Sequence, residues 1–117
     1  MLTVYGIPSC GTVKKARAWL DARGVAHTFH DFRADPVASE TVEAWVRALG
    51  SKALRNTSGG SYRALPDAKD TWSDAEWVRA FAGDPMLIKR PVITRDGVAV
   101  LAGFRGSDDA LAERLLR

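Results

Sequence analysis

One stretch near the start of the chain, Tyr5-Gly6-Ile7-Pro8-Ser9-Cys10-Gly11-Thr12-Val13-Lys14-Lys15-Ala16, limits the possible architectures more than any other. A short apolar run from Leu2 to Tyr5 precedes it and reads as a strand. A helical pattern follows, with Val13, Ala16 and Leu20 on one stripe and Lys14, Lys15, Arg17 and Asp21 outside it. Gly6, Pro8 and Ser9 are turn residues, so the chain reverses between strand and helix. Cys10, the only cysteine among 117 residues, therefore falls where a helix begins. The first N–H groups of a helix lack internal partners and carry about half a positive charge between them. They favour thiolate over thiol, and cysteines so placed ionise between about pH 3.5 and 7.5 instead of near 8.5. Lys14 and Lys15 add charge of the same sign one turn on. A cysteine that merely packs has apolar neighbours at sheet or helix spacing. Flanked by Ser9 and Gly11, Cys10 is expected to be a reactive thiol.

The rest of the chain supplies the frame. Gly24 stops the first helix in a left-handed cap. Val25 to Phe32 alternates as a second strand, with Val25, His27 and Phe29 on one face and Ala26, Thr28, His30 and Phe32 on the other. A strand–helix–strand unit of this length requires parallel pairing of its strands. After the polar loop Asp31 to Pro36, Ser39 can cap a helix whose apolar positions are Val42, Trp45, Val46 and Leu49, ending at Gly50. Ser51 to Leu65 is the least regular part of the chain and a candidate lid or binding loop. Ser73 and Glu76 form a capping box, with Trp72 stapled onto Trp77, for a helix reaching about Ala82. Asp84-Pro85 opens one more helical turn through Ile88. Val92 to Thr94 and Val98 to Leu101 flank Asp96-Gly97, a hairpin signal that makes these strands antiparallel. Ser107 with Asp108 and Asp109 starts a final helix that turns Leu111, Leu115 and Leu116 inward. This order predicts an α/β, thioredoxin-like four-stranded mixed sheet with helices on both faces and an all-helical insertion at about 38–88. One domain is expected to span 1–117.

Composition narrows the function. A hydrophobic content of 46% with 26% charged residues is ordinary for a globular chain. The net charge of +3 is spread along the sequence, which suits an anionic small ligand or simply a solvated surface and falls short of a nucleic-acid footprint. No run approaches the roughly 18 apolar residues of a membrane span, and no signal-peptide pattern is present, so a cytoplasmic location is expected. A single cysteine excludes an internal disulfide, in keeping with a reducing compartment. Neither His27 nor His30 belongs to a cluster with metal-ligand spacing, and no metal is expected. Gly59-Gly60 lacks the Gly-Lys-Ser/Thr of a phosphate loop. No apolar heptad stands out, so a monomer is expected.

Laid out in this way, the chain resembles the arsenate-reductase (ArsC) family, and most closely its YffB-like branch of thiol reductases. The likeness rests on Tyr5 to Cys10 with Thr12 to Ala16, and on Phe29-His30-Asp31-Phe32-Arg33. It rests equally on Leu54 to Leu65 with Asn56-Thr57 and Tyr62-Arg63, on Ile88-Lys89-Arg90-Pro91-Val92, and on Gly103-Phe104. Several blocks in the right order over nearly the whole length are far more specific than any one. The resemblance implies a thioredoxin-like fold with a helical insertion, a catalytic Cys10, and a cis bond before Pro91 that brings Arg90 toward the thiol. In arsenate reductases proper, three arginines surround the cysteine. Arg90 matches one and Arg105 a second, but the third position holds Asn56, with Arg55 one residue early, which counts against arsenate turnover. A transcription-regulating relative carries a Cys-x-x-Cys switch, whereas this chain has Cys10-Gly11-Thr12-Val13.

The expected activity is a thiol-dependent reductase with glutathione as co-substrate and no bound cofactor. Cys10 attacks an oxidised small substrate or a protein disulfide, and an outside thiol resolves the intermediate. Arg90 beside Pro91 stabilises the thiolate, Lys14 adds charge, and Thr12 donates to the sulfur. Arg105 and Asn56 complete the binding site. The alternatives are an arsenate reductase proper and a non-enzymatic interaction module related to the regulators.

Overall fold

A computed structural model describes residues 1–116. Strands β1 (Leu2–Gly6), β2 (His27–Asp31), β3 (Val92–Arg95) and β4 (Val98–Ala102) form one mixed sheet in the order β2-β1-β3-β4. Helix α1 (Gly11–Ala22) connects β1 to β2, which pair in parallel with Leu2 opposite His27 and Gly6 opposite Asp31. β3 runs antiparallel to both β1 and β4. Its hairpin with β4 turns at Asp96 and Gly97, whose φ values of 50 and 87° fit the twist of the two strands. The expected thioredoxin-like α/β layout is the observed one.

Each face of the sheet has its own core. Val13, Ala16 and Leu20 of α1 and Leu111 and Leu115 of α6 (Asp108–Leu115) pack on Leu2, Val4 and Ile93. On the other face, Val42, Trp45 and Val46 of α2 (Ser39–Leu49) and Trp77 and Phe81 of α5 (Asp74–Gly83) pack on Val92 and Ala99. Strand β4 serves both cores through a bulge. Ile93 pairs with Leu101 and Thr94 with Ala99, leaving Val100 extra. Ala99 and Leu101 then face opposite cores, where plain alternation would put them on one side.

Between β2 and β3 every named element is helical. The stretch expected to be irregular holds two four-residue helices, α3 (Ser51–Leu54) and α4 (Gly60–Arg63), and a 3-10 turn covers Asp67–Thr71. Ser73 and Glu76 close the expected capping box on α5, Ser73 N donating to Glu76 Oε1 at 3.0 Å and Glu76 N to Ser73 Oγ at 3.3 Å. The Trp72 and Trp77 rings meet edge-on with centroids 5.0 Å apart, the predicted staple. A Ser73→Ala variant should lose about 1 kcal/mol in a urea melt, the usual worth of such a cap. A loss near zero would mean that tertiary packing alone holds the start of α5.

Three expectations are corrected. The second strand is shorter, because Val25 N donates to Leu20 O and Gly24 N to Asp21 O, both at 3.0 Å, so that Gly24 and Val25 close α1. Ser39 does not cap α2. Ala38 takes that place, its carbonyl accepting from Thr41 and Val42, and no side chain caps the helix. Leu116 is 42% exposed, since it follows the last turn of α6 and rotates off the stripe that buries Leu111 and Leu115.

Candidate active site

Cys10 is the residue before the first turn of α1. It is extended, with φ −75 and ψ 124°, its N–H donates to Ile7 O at 3.2 Å and its carbonyl accepts from Lys14 N at 3.0 Å. The half-buried side chain touches both cores, so the sulfur sits where the two hydrophobic layers meet solvent. Burial is the largest single influence on the thiol and pushes its pKa up. The Val13 N–H, the Arg90 guanidinium, the Thr12 N–H and the Arg90 charge oppose it, and together they hold Cys10 below the ordinary thiol range. The open end of the helix therefore does what its position in the sequence predicts, with an arginine from a distant segment added.

Gly6 makes this geometry possible, though not as a turn residue. It is the last residue of β1, and a Cβ built on it would lie 2.6 Å from Val13 Cγ2. The strand end and the first turn of α1 approach too closely for any side chain. A Gly6→Ala variant is expected to lose roughly 1–2 kcal/mol of stability, a typical overpacking cost. It should also slow Cys10 alkylation, because Val13 supplies a donor to the sulfur. Unaltered melting and alkylation would show that the contact relaxes freely.

The bond between Arg90 and Pro91 is cis, as the family likeness implied. Arg90 Nη1 donates to Met86 Sδ at 3.7 Å, and Arg90 Nε is buried without a partner among the described residues. Pro91 is buried and its carbonyl accepts from Gly103 N at 2.8 Å, which ties the start of β3 to the turn that carries Phe104 and Arg105.

Cys10 opens into a cleft of about 270 Å³ that Thr12, Asn56, Arg90 and Arg105 also line. Ser58, Lys89, Gly103 and Phe104 complete the lining and were not singled out from the sequence as site residues. Their common signal is adjacency, since Lys89 precedes Arg90 and Phe104 precedes Arg105. Lys14 is placed differently from expectation. It is exposed, stands outside the cleft lining and is not among the groups that shift the thiol. Its backbone closes the first turn while its side chain stays in solvent.

Asn56 is engaged by the backbone of a distant segment as well as by its own loop. Its Nδ2 donates to Met86 O at 3.3 Å, its Oδ1 accepts from Ser58 Oγ at 3.3 Å, and its N–H donates to Leu87 O at 2.8 Å. With the bridge between Arg55 and Ile88, these bonds lash the segment around Asn56 to the one leading into Arg90. Arg55 turns the other way. Its guanidinium lies 4.1 Å from the Trp77 ring centroid and donates to Ser51 Oγ at 2.9 Å, so it belongs to the helical insertion and not to the cleft.

The histidines are also occupied elsewhere. His27 Nδ1 donates to Val25 O at 2.9 Å and His30 Nε2 to Asp35 O at 2.7 Å. Among the described residues no three His, Cys, Asp or Glu side chains cluster as metal ligands, and no helix is long and apolar enough to cross a membrane. A larger groove of about 820 Å³ between α2 and α5 carries Glu43, Arg47, Asp74 and Arg79 on its rim. It is lined by no cysteine or histidine and shares no lining residue with the Cys10 cleft, so chemistry and not size identifies the site.

Comparison with known proteins identifies the family of the chain. The ArsC family profile matches residues 5–109. An uncharacterized protein of Haemophilus influenzae is 36% identical over 105 residues, covering 89% of this chain and 91% of its own. The global transcriptional regulator Spx of Streptococcus mutans is 26% identical over 106 residues, 89% of this chain and 77% of its own. Among solved structures, the YffB protein superposes with a TM-score of 0.86 at 36% identity, covering 98% of this chain and 99% of that one. A possible arsenate reductase from Streptococcus mutans gives a TM-score of 0.83 at 36% identity, with 95% and 97% covered.

Proposed function

The chain belongs to the ArsC family, and from that membership we propose a thiol-dependent reductase that works through Cys10 and draws its second thiol from glutathione. One observation carries the reading. The only sulfur nucleophile of the chain is held toward its thiolate form, in a cleft lined by three cations and no second cysteine. In the first step the Cys10 thiolate attacks one sulfur of a substrate disulfide. That S–S bond breaks, a mixed disulfide forms on Cys10, and the other sulfur leaves as a thiolate. Glutathione thiolate then exchanges the remaining substrate half, and a second glutathione attacks the glutathionylated Cys10. Each substrate disulfide is thereby reduced to two thiols while two glutathione molecules become glutathione disulfide. Arg90 stabilises Cys10 as attacking and as leaving thiolate, and Thr12 and Val13 donate to the same sulfur. Glutathione places the reaction in a reducing compartment, the cytoplasm.

Mass spectrometry after incubation with oxidised glutathione tests this directly. The expected product carries a single glutathionyl group on Cys10, and an unmodified protein at neutral pH would overturn the reading. Two other readings are less well supported. Arsenate reduction needs an oxyanion cradle. The described cleft offers Arg90 and Arg105 with Asn56 at the third place, while Arg55 is stacked on Trp77. Arsenate-dependent NADPH consumption with glutathione and glutaredoxin would favour that activity. The likeness to Spx favours a regulator, yet Cys10-Gly11-Thr12-Val13 cannot form an internal disulfide, so any such role runs without that switch.

A further inference from the structure

The cleft holds more positive charge than the sulfur uses. Arg90 is committed to Cys10. Lys89 and Arg105 line the same cleft, neither side chain has a hydrogen-bond or ion-pair partner among the described residues, and no Asp or Glu stands among the lining groups. Lys89 is not a free-swinging surface ammonium. It is half-buried, and its backbone N–H donates to Leu54 O at 2.7 Å. Its stem lies along Gly103, which has a φ of 80°; a Cβ there would come to 3.0 Å from Lys89 Cε and 3.3 Å from Cδ. A glycine at this place leaves a channel that fixes the course of the lysine. Two uncompensated cations beside a nucleophilic sulfur fit an anion that arrives on the same molecule as the sulfur under attack.

We infer that Lys89, with Arg105, binds a carboxylate of the sulfur-bearing co-substrate and so selects acidic thiols and disulfides over neutral ones. The inference rests on the reductase reading and divides its labour: Arg90 serves the sulfur, Lys89 and Arg105 serve the carboxylate. Lys89 is then a specificity-determining residue, and the distinction has a readout that needs no turnover.

The experiment compares Cys10 alkylation by iodoacetate, which carries a carboxylate, with alkylation by neutral iodoacetamide. In Lys89→Met the stem remains against Gly103 and only the charge is lost. The iodoacetate-to-iodoacetamide rate ratio should fall about three- to fivefold, the scale of a partly screened ion pair, while the iodoacetamide rate stays as it was. Lys89→Arg should restore the ratio, Arg105→Gln should lower it as well, and added salt should compress all differences. In parallel, mixed-disulfide formation with oxidised glutathione should slow in Lys89→Met, and that with bis(2-hydroxyethyl) disulfide should not. An unchanged ratio in Lys89→Met combined with Arg105→Gln would overturn the inference. Equal slowing by both alkylating agents would do the same, since Lys89 would then act on the sulfur or the fold. Failure of the reductase reading looks different: the unaltered protein would form no mixed disulfide with either reagent while the alkylation ratio still responded to Lys89.

Discussion

A Cys10→Ser protein is expected to lose thiol–disulfide turnover by about a thousandfold or more while keeping its fold. Serine replaces sulfur by an oxygen of similar reach, so the half-buried site between the two cores stays filled. The hydroxyl, however, does not ionise near neutral pH. The donors that hold the thiol below its ordinary range, the Val13 and Thr12 N–H groups and the Arg90 guanidinium, cannot turn it into a nucleophile. No second cysteine exists to take over. The check is reduction of a small disulfide with glutathione regenerated by NADPH, beside a thermal melt of both proteins. Residual turnover within tenfold of the unaltered protein would remove Cys10 from the mechanism.

Arg90→Ala should raise the pKa of Cys10 and lower the efficiency of the reductase at neutral pH by about tenfold or more. A hydrogen bond to a charged group contributes roughly 1.5–3 kcal/mol. The substitution removes both a hydrogen bond and a charge from the sulfur, and leaves burial opposed only by the Val13 and Thr12 N–H groups. The rate of iodoacetamide reaction against pH reads this directly, its midpoint moving to higher pH, with activity recovering as pH rises. The linkage has a matching sign. A thiol whose pKa is depressed in the folded state adds stability that is complete above the pKa of the unfolded thiol. That contribution is lost as pH falls through the folded value. Arg90→Ala should therefore lose less stability than the unaltered protein on acidification through that window. An alkylation profile that does not move would mean that Arg90 leaves the sulfur untouched.

Much of this protein was legible where local rules suffice. The capping box at Ser73 and Glu76, the Asp96-Gly97 turn and the stripe Val13, Ala16, Leu20 each rest on contacts within a few residues, and each appears as expected. The helices α3 and α4 did not show, because four residues are too short to display a periodic stripe. The bulge at Val100 was hidden because it arises from pairing with β3, not from the order of residues in β4. By local rules Gly6 reads as a turn residue, whereas its close approach to Val13 depends on where a helix lands on a strand.

The site divides in the same way. The sequence by itself determined that one sulfur would stand at the start of a helix without a cysteine partner, because capping and chain reversal are short-range effects. Only the tertiary structure decided which cations share a cleft with that sulfur. Arg90, Lys89 and Arg105 arrive from the far end of the chain, Lys14 next door stays in solvent, and Arg55 turns to Trp77. Electrostatic influence falls with distance through space and not along the chain, so packing of the two halves of the sheet selects the charges that act.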